Sequence, residues 1–514
     1  MASMASGTDS TGTIAPNNRR SKTPSYVLNQ DRRAALAEVD NAKFAWFHVK
    51  VCCTAGAGFF TVAYDIFAIN IATRMLGYVY GHATGPDLTS NQQLGLKIAT
   101  PIGTLFGQLL FGWLADVVGR KRMYGIELII IIVASFFQAL CGSAPVISII
   151  GVLIIWRFIM GVGAGGDYPL SAVISSEFAS TRVRGRLMNA VFAFQGWGNF
   201  VAVLVALVIT ASFKDSILHD TSGTHRPVDY MWRILIGLGC VPGCVALYFR
   251  LTIPETPRFI MDVDRNIRQA SKDIENLLTV GKSEVDPDAV VQRVEAPRAS
   301  WADFCAHFSQ WENLKVLIGT SWSWFAVDIA FYGLNLNAAD ILEKIGFGSD
   351  KVYDNLWNIC VKNLILSASL IPGYWVCFLF IDSWGRRPIQ LMGFSVLTII
   401  FICMGAGYGK LTSSDSLKKI VPGEAFPTRY RSTAHGISAA SGKLGAIIAQ
   451  VGFSHLYIGT SLCILAAFMF TGILSTLLIP ETKGRSLEEL SNENQDEFVK
   501  GIAGTAGVRD EVIV

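Results

Sequence analysis

Five ionisable side chains sit inside long apolar runs: Asp65, Arg157, Asp167, Asp328 and Lys443. Charge is costly in hydrocarbon, so residues of this kind are by default those that handle protons, ions or polar solutes. Trp324, Asp328 and Tyr332 follow one another at intervals of four, which places them on one face of a helix. A stripe of indole, carboxyl and phenol does not suit lipid, because the carboxyl and hydroxyl need partners. It suits the wall of a polar cavity. Gln195, in VFAFQGWGN, is another polar side chain within an apolar run. Taken singly, Gln195 or one of the aromatics serves equally well as glue between helices. For Asp65 and Asp167 the alternative to a proton role is a structural polar contact between helices. Arg157 and Asp167 stand ten residues apart, about 15 Å along a helix, so Arg157 needs a partner on another element.

The elements that position these groups are apolar blocks about twenty residues long, the length that crosses a bilayer as a helix. They fall near 49–76, 94–115, 122–141, 146–172, 187–211, 231–253, 315–340, 356–381, 388–408, 433–453 and 456–479. This predicts an all-α polytopic membrane protein with two bundles, six helices at 44–253 and about five at 315–482. A polar tail (1–43), a charged central loop (254–314) and a second tail (483–514) complete the chain. The IRQASKDIENLL piece of the loop can form a short amphipathic helix. The chain is 51% hydrophobic and 16% charged, too apolar to coat soluble domains. Its net charge of +3 excludes the dominant basic surface of a nucleic-acid binder. Ten cysteines scattered through apolar runs have no metal-ligand spacing and read as small apolar filler. The basic start, with Arg19, Arg20, Lys22, Arg32 and Arg33, is not followed promptly by a short apolar core. It therefore reads as a cytoplasmic tail and not as a signal peptide.

Three landmarks recur in the same order in both halves: DVVGRKR (116–122) and DSWGRRP (382–388), EFASTRVR (177–184) and EAFPTRYR (424–431), PETPR (254–258) and PETK (480–483). The halves are therefore parallel repeats. Gly119 and Gly385 permit a tight turn between helices. Arg120 and Arg122, like Arg386 and Arg387, hold that turn in the cytosol. Asp116 and Asp382, at helix ends, either cap a helix or pair with arginine across the bundles as a conformational latch; the alternative is a purely topological signal. Glu177 with Arg182 and Arg184, and Glu424 with Arg429 and Arg431, divide in the same way between ion-paired gating and topological anchoring.

The repeats also expose a shortfall. From Asp116 to Glu177 is 61 residues, but from Asp382 to Glu424 is only 42. The deficit is about one membrane span and falls on MGAGYGKLTSSDSLKKIVPGEAF (404–426), too polar to cross. The tenth helix of a twelve-helix arrangement is therefore expected to be absent. Uncompensated, that loss would reverse the two final helices and carry basic Arg429 and Arg431 to the wrong side.

GRKR and GRRP after the paired aspartates, RFIMGVGAGG in the fourth apolar block and PETPR before the central loop resemble the major facilitator superfamily. Within it, GGDYPLSAVISSEF (165–178) and EAFPTRYRSTAHGISAASGKLGAIIAQ (424–450) resemble the phosphate:proton symporter family, nearest to fungal high-affinity permeases. The resemblance covers nearly the whole chain. It implies proton-coupled phosphate uptake by alternating access, with phosphate and protons as the cargo, the lipid bilayer as surroundings and no cofactor. It implies a phosphate site of Tyr168, Gln195, Trp324, Asp328 and Tyr332; the family's asparagine in the tenth helix has no counterpart here. It assigns proton handling to Asp65 and Asp167, with Arg157 and Lys443 as nearby charges.

The chemistry of such a site is coherent. Phosphate near neutral pH keeps at least one O–H, which a carboxylate such as Asp328 can accept, while phenol, amide and indole groups donate to its oxygens. Sulfate offers no O–H and would face the carboxylate unpaired, so a buried acid discriminates between the two anions. Competing readings are a sugar or organic-ion facilitator, a receptor that senses phosphate without net transport, and a non-transporting variant. No nucleophile–base pair, phosphate-cradling glycine loop or metal cluster stands in the sequence, so an enzyme is not expected. A proton-coupled scavenger suits the plasma membrane.

Overall fold

The computed structural model describes residues 40, 45–81, 88–220, 225–252, 301–342, 349, 351–406, 431–456, 458–485 and 490. The N-terminal half comprises α1 (Trp46–Tyr80), α2 (Ser90–Val118), α3 (Arg120–Ala139), α4 (Ile149–Phe178) and α5 (Arg184–Ser212). It is completed by α6 (Arg226–Gly237) and α7 (Cys240–Thr252). The C-terminal half comprises α8 (Trp311–Asn335), the short helix Ala338–Leu342, α9 (Val352–Trp384), α10 (Arg386–Ala406), α11 (Arg431–His455) and α12 (Ile458–Thr476). Nine of the described helical segments, counting α6 with α7 as Arg226–Leu251, are long and apolar enough to cross a membrane. Large apolar side chains such as Phe106, Ile155, Leu379 and Ile399 are exposed on the outside, as a lipid-facing surface requires.

The sixth apolar block is two helices. The chain breaks at Leu238–Gly239, where the backbone passes so close to α1 that a Cβ on Gly239 would stand 1.9 Å from Asp65 Oδ1. The polar central stretch also ends earlier than the sequence suggests. Trp301–Ser309 is helical and α8 starts at Trp311, because Phe304 and Phe308, one turn apart, pack on Val316, Leu317, Ala434 and Ile437. Residues 253–300, including IRQASKDIENLL and PETPR, lie outside the described residues.

Gly119 and Gly385 take φ of 113° and 100°, values that L side chains rarely adopt, so the α2–α3 and α9–α10 turns need glycine. The aspartates before them act alike. Asp116 Oδ2 accepts from the Thr433 backbone N–H at 2.9 Å and from its hydroxyl at 2.8 Å, capping the start of α11. Asp382 Oδ2 accepts from the Arg186 backbone N–H at 3.1 Å, capping the start of α5. Each half thus caps a helix of the other, and the caps satisfy backbone donors that the first helical turn leaves open. Removing the Asp116 carboxyl (Asp116→Ala) should lower stability by about 1 kcal/mol. Asp116→Asn, which keeps an acceptor, should fall between it and the parent in thermal-unfolding midpoint.

The same contacts fix the direction of the last helices. α11 begins beside Asp116, at the end that carries the basic turns. α12 returns to that end, where Glu481 accepts from the backbone N–H groups of Arg386 and Arg387, each at 3.0 Å. α10 runs antiparallel to α12, with Gln390 Nε2 donating to Thr476 Oγ1 at 3.1 Å. The final two helices therefore keep the orientation of the repeat, and the reversal that an uncompensated loss would cause does not occur. α10 ends and α11 begins at opposite ends of the bundle, and residues 407–430 come between them in the sequence. That stretch carries the length shortfall and Glu424, and it lies outside the described residues.

Candidate functional site

Where the halves meet, α4, α5, α8 and α11 bring five of the singled-out side chains into one hydrogen-bonded line. Gln195 Nε2 donates to the Tyr168 hydroxyl at 3.3 Å. The Tyr168 and Tyr332 hydroxyls share a bond of 3.1 Å. Lys443 Nζ donates to Tyr332 at 2.9 Å and to Asp328 Oδ2 at 2.7 Å. Its ammonium also lies 4.2 Å and 4.7 Å from the ring centres of Tyr332 and Tyr168, a cation–π arrangement. Trp324 sits two helical turns before Tyr332 and meets His435 edge-on at 5.9 Å. Asp328 is 0% exposed, and its Oδ1 accepts no hydrogen bond from any described residue. The stripe Trp324–Asp328–Tyr332 thus turns inward as a unit. Lys443 joins it directly, a role the sequence did not distinguish from that of a nearby charge.

Asp167 belongs to a second buried cluster. Arg250, on α7, donates to Asp167, and through Nη1 to Glu127 Oε1 at 2.7 Å and to the Tyr124 carbonyl at 3.1 Å. Its guanidinium stacks 3.8 Å from the Tyr124 ring centre. Ser171 donates to Asp167 Oδ1 at 2.7 Å. Two carboxylates therefore share one guanidinium in a water-excluded setting. Glu127 and Arg250 did not stand out in the sequence. Glu127 carried the same signal as Asp65, an acid within an apolar block, whereas Arg250, close to the end of its block, resembled a topology signal.

Asp65 Oδ2 accepts from Ser135 at 2.8 Å, and Oδ1 has no hydrogen-bond partner among the described residues. Arg157 lies within electrostatic reach of Asp65 and donates Nε–H to the Leu96 carbonyl at 3.0 Å. As the spacing demanded, its partners are on other helices.

Both ends of the interface are bridged. At the basic end, besides the two caps, Arg120 pairs with Glu177 and, at 3.6 Å, with Asp116. Asp382 pairs with Arg386 at 2.8 Å. Arg184 reaches Asp40 at 3.2 Å and the Arg485 carbonyl at 3.0 Å. Arg387 donates to the Leu477 carbonyl at 3.1 Å, and Arg122 is exposed. The Arg431 side chain lies outside the description. At the other end, Asp340 pairs with Arg74 and Lys97, and Asn355 donates to the Tyr78 hydroxyl at 2.8 Å. The central residues are therefore enclosed from both sides.

A two-bundle helical protein that encloses a polar site at its pseudo-symmetry interface has the architecture of a membrane transporter. The family profile described as "Sugar (and other) transporter" matches residues 50–422. The fold is shared with the proton:xylose symporter XylE, with a TM-score of 0.68 at 19% identity, over 87% of this chain and 99% of that one. The chain belongs to this major facilitator family, whose members are membrane transporters and not enzymes, and it is a multi-pass membrane protein. It is 47% identical to the repressible high-affinity phosphate permease of Neurospora crassa, over 90% of each chain. It is 45% identical to the inorganic phosphate transporter PHO84 of Saccharomyces cerevisiae, over 91% of this chain and 88% of that one.

Proposed function

We propose that this protein carries inorganic phosphate into the cell together with protons, by alternating access, at the plasma membrane. One observation supports the cargo above the rest. Asp328 Oδ1 is a buried acceptor without a hydrogen bond from the described residues, while the neighbouring Oδ2 is held by Lys443. A buried acceptor is costly to leave unmade, and an anion that still carries an O–H supplies the missing donor. Its remaining oxygens receive donors from Lys443, Tyr332, Tyr168, Gln195 and the Trp324 indole. The relatives named as phosphate permeases point the same way.

Charge balance supports proton coupling. Glu127 and Asp167 around Arg250 make one carboxylate more than the cation neutralises, so a proton on either acid balances the cluster. Asp65, with one oxygen that no described residue bonds, is a second seat. Each net positive charge entering at 100 mV contributes about 2.3 kcal/mol, which drives anion accumulation once protons outnumber the phosphate charges.

Uptake of radiolabelled phosphate at acidic and neutral pH, in cells without their own phosphate carriers, tests this reading. Uptake should be faster at acidic pH, abolished by a protonophore, inhibited by arsenate, and unaffected by sulfate or glucose. Inhibition by glucose in place of arsenate would favour the sugar facilitator. Binding without uptake would favour a phosphate receptor. A parallel chain with an apolar span inserted between Lys419 and Ile420 tests the length shortfall: uptake by that version alone would identify the present sequence as a non-transporting variant.

A further inference from the structure

One buried polar side chain belongs to none of the clusters above. Gln108, on α2, is 0% exposed, and no described residue bonds either its amide nitrogen or its amide oxygen. Its direction follows from the helix. Phe106, Leu109, Leu110, Trp113 and Val117 are exposed and mark the lipid face of α2. With about 3.6 residues per turn, Gln108 lies on the opposite face and points into the protein. There α2 crosses both α4 and α11 at glycines. A Cβ on Gly165 would stand 2.7 Å from the Gln108 backbone nitrogen, and one on Gly436 would overlap the Gln108 carbonyl oxygen. Gly436 shares a face of α11 with Lys443, about 10 Å along the helix. The neighbouring His435 meets Trp324 of the central stripe. Towards the basic end, Asp116, two turns further along α2, caps α11 at Thr433. Gln108 therefore lies between the central line and the closed basic end, on the seam between the halves.

We propose that Gln108 is a further phosphate-contacting residue, the centre of an inner station that the anion occupies between the Asp328–Lys443 site and the basic end. A buried amide without hydrogen bonds is costly, and it carries two N–H donors and one acceptor. Phosphate matches all of them: its oxygens accept from the N–H groups, and its O–H donates to the amide oxygen. The seam supplies the access. α2 belongs to the N-terminal half and α11 to the C-terminal half, and a Cβ on Gly436 would stand 3.4 Å from Gly112 Cα. Opening the basic end parts this close crossing and uncovers Gln108 beside it. Charge then orders the two stations. The central site holds the anion through the Lys443 ammonium, whereas Gln108 offers neutral hydrogen bonds, which are roughly half as strong. A weaker second station lets phosphate step away from the ammonium without going directly into water. This inference rests on the phosphate reading above and adds a residue that the reading does not use.

The test is Gln108→Met, which keeps the volume and removes both polar atoms. Three quantities are compared with the parent: the thermal-unfolding midpoint in detergent, equilibrium binding of phosphate to the purified protein, and the maximal velocity of phosphate uptake in cells. Because no described residue bonds the amide, the midpoint should stay at or above that of the parent. Phosphate affinity at the central site should be unchanged. Maximal velocity should fall about tenfold, the loss of one hydrogen bond to a charged ligand. Parental velocity in Gln108→Met, with uptake by the parent intact, overturns the inner station alone. A lowered midpoint accompanying slow uptake also overturns it, since the amide would then be holding the fold. A loss of affinity as large as the loss of velocity overturns the separate station by placing Gln108 in the central site. Absence of phosphate uptake by the parent itself overturns the transport reading and the inner station with it.

Discussion

Asp328→Asn should reduce phosphate uptake by at least about a hundredfold, the cost of losing a buried charge pair of roughly 3–5 kcal/mol, and should admit sulfate as an inhibitor. The first effect follows from Lys443. In the parent, its ammonium is 1% exposed and pairs with Asp328 at 2.7 Å. With a neutral amide opposite it, Lys443 becomes a buried charge without a counter-ion, which destabilises the folded carrier. The second effect follows from Oδ1. An amide offers N–H donors as well as an acceptor, so a fully ionised oxyanion is no longer repelled. The two effects separate experimentally. Asp328→Asn combined with Lys443→Gln removes both charges and should recover much of the thermal-unfolding midpoint in detergent without recovering phosphate uptake. If Asp328→Asn alone retained both uptake and sulfate exclusion, the carboxylate would not be the element that selects phosphate.

The parts of this site that were legible in the sequence share one property: they lie close together along the chain. Trp324, Asp328 and Tyr332 repeat with the helical period in an apolar run, so their common face was readable before any fold was known. The paired Asp–Gly–Arg turns were readable because the repeat shows them twice, and the structure adds only that each aspartate caps a helix of the other half. Gln195 was legible only as a polar side chain in an apolar run, and Tyr168 was reached through family resemblance. No local pattern connects them to Tyr332, 164 residues from Tyr168. The bond between Lys443 and Asp328 spans 115 residues, and that between Lys97 and Asp340 spans 243. Charges so far apart find one another only through helix packing, which periodicity does not encode. The direction of α11 stayed open in the sequence for a related reason. Counting spans assigns orientation by parity, whereas the structure places α11 through its contacts with α2 and α8.

Arg250→Met should be the most destabilising single substitution among the buried charges of the N-terminal half. Its guanidinium is the only group that reaches both Glu127 and Asp167 in the described hydrogen-bond network, and all three side chains are essentially unexposed. Methionine fills the volume but leaves two carboxyls facing each other without a cation. Breaking a buried pair from one side costs about 3–5 kcal/mol, unless both acids take up protons, which would hold the cluster in its protonated form. Either outcome stops a proton cycle: the first unfolds the bundle and the second prevents release. Arg250→Lys tells the two apart, because it retains the charge but lacks the planar fork that serves Glu127, Asp167 and the Tyr124 carbonyl together. It should remain folded while transporting at least about tenfold more slowly, with its pH optimum displaced from the parent's. The triple variant Arg250→Met, Glu127→Gln, Asp167→Asn has no charge left to compensate, so it should recover the unfolding midpoint and bind phosphate at the central site without accumulating it. Proton-driven accumulation by that triple variant would move the coupling away from this cluster and leave Asp65 as the proton seat.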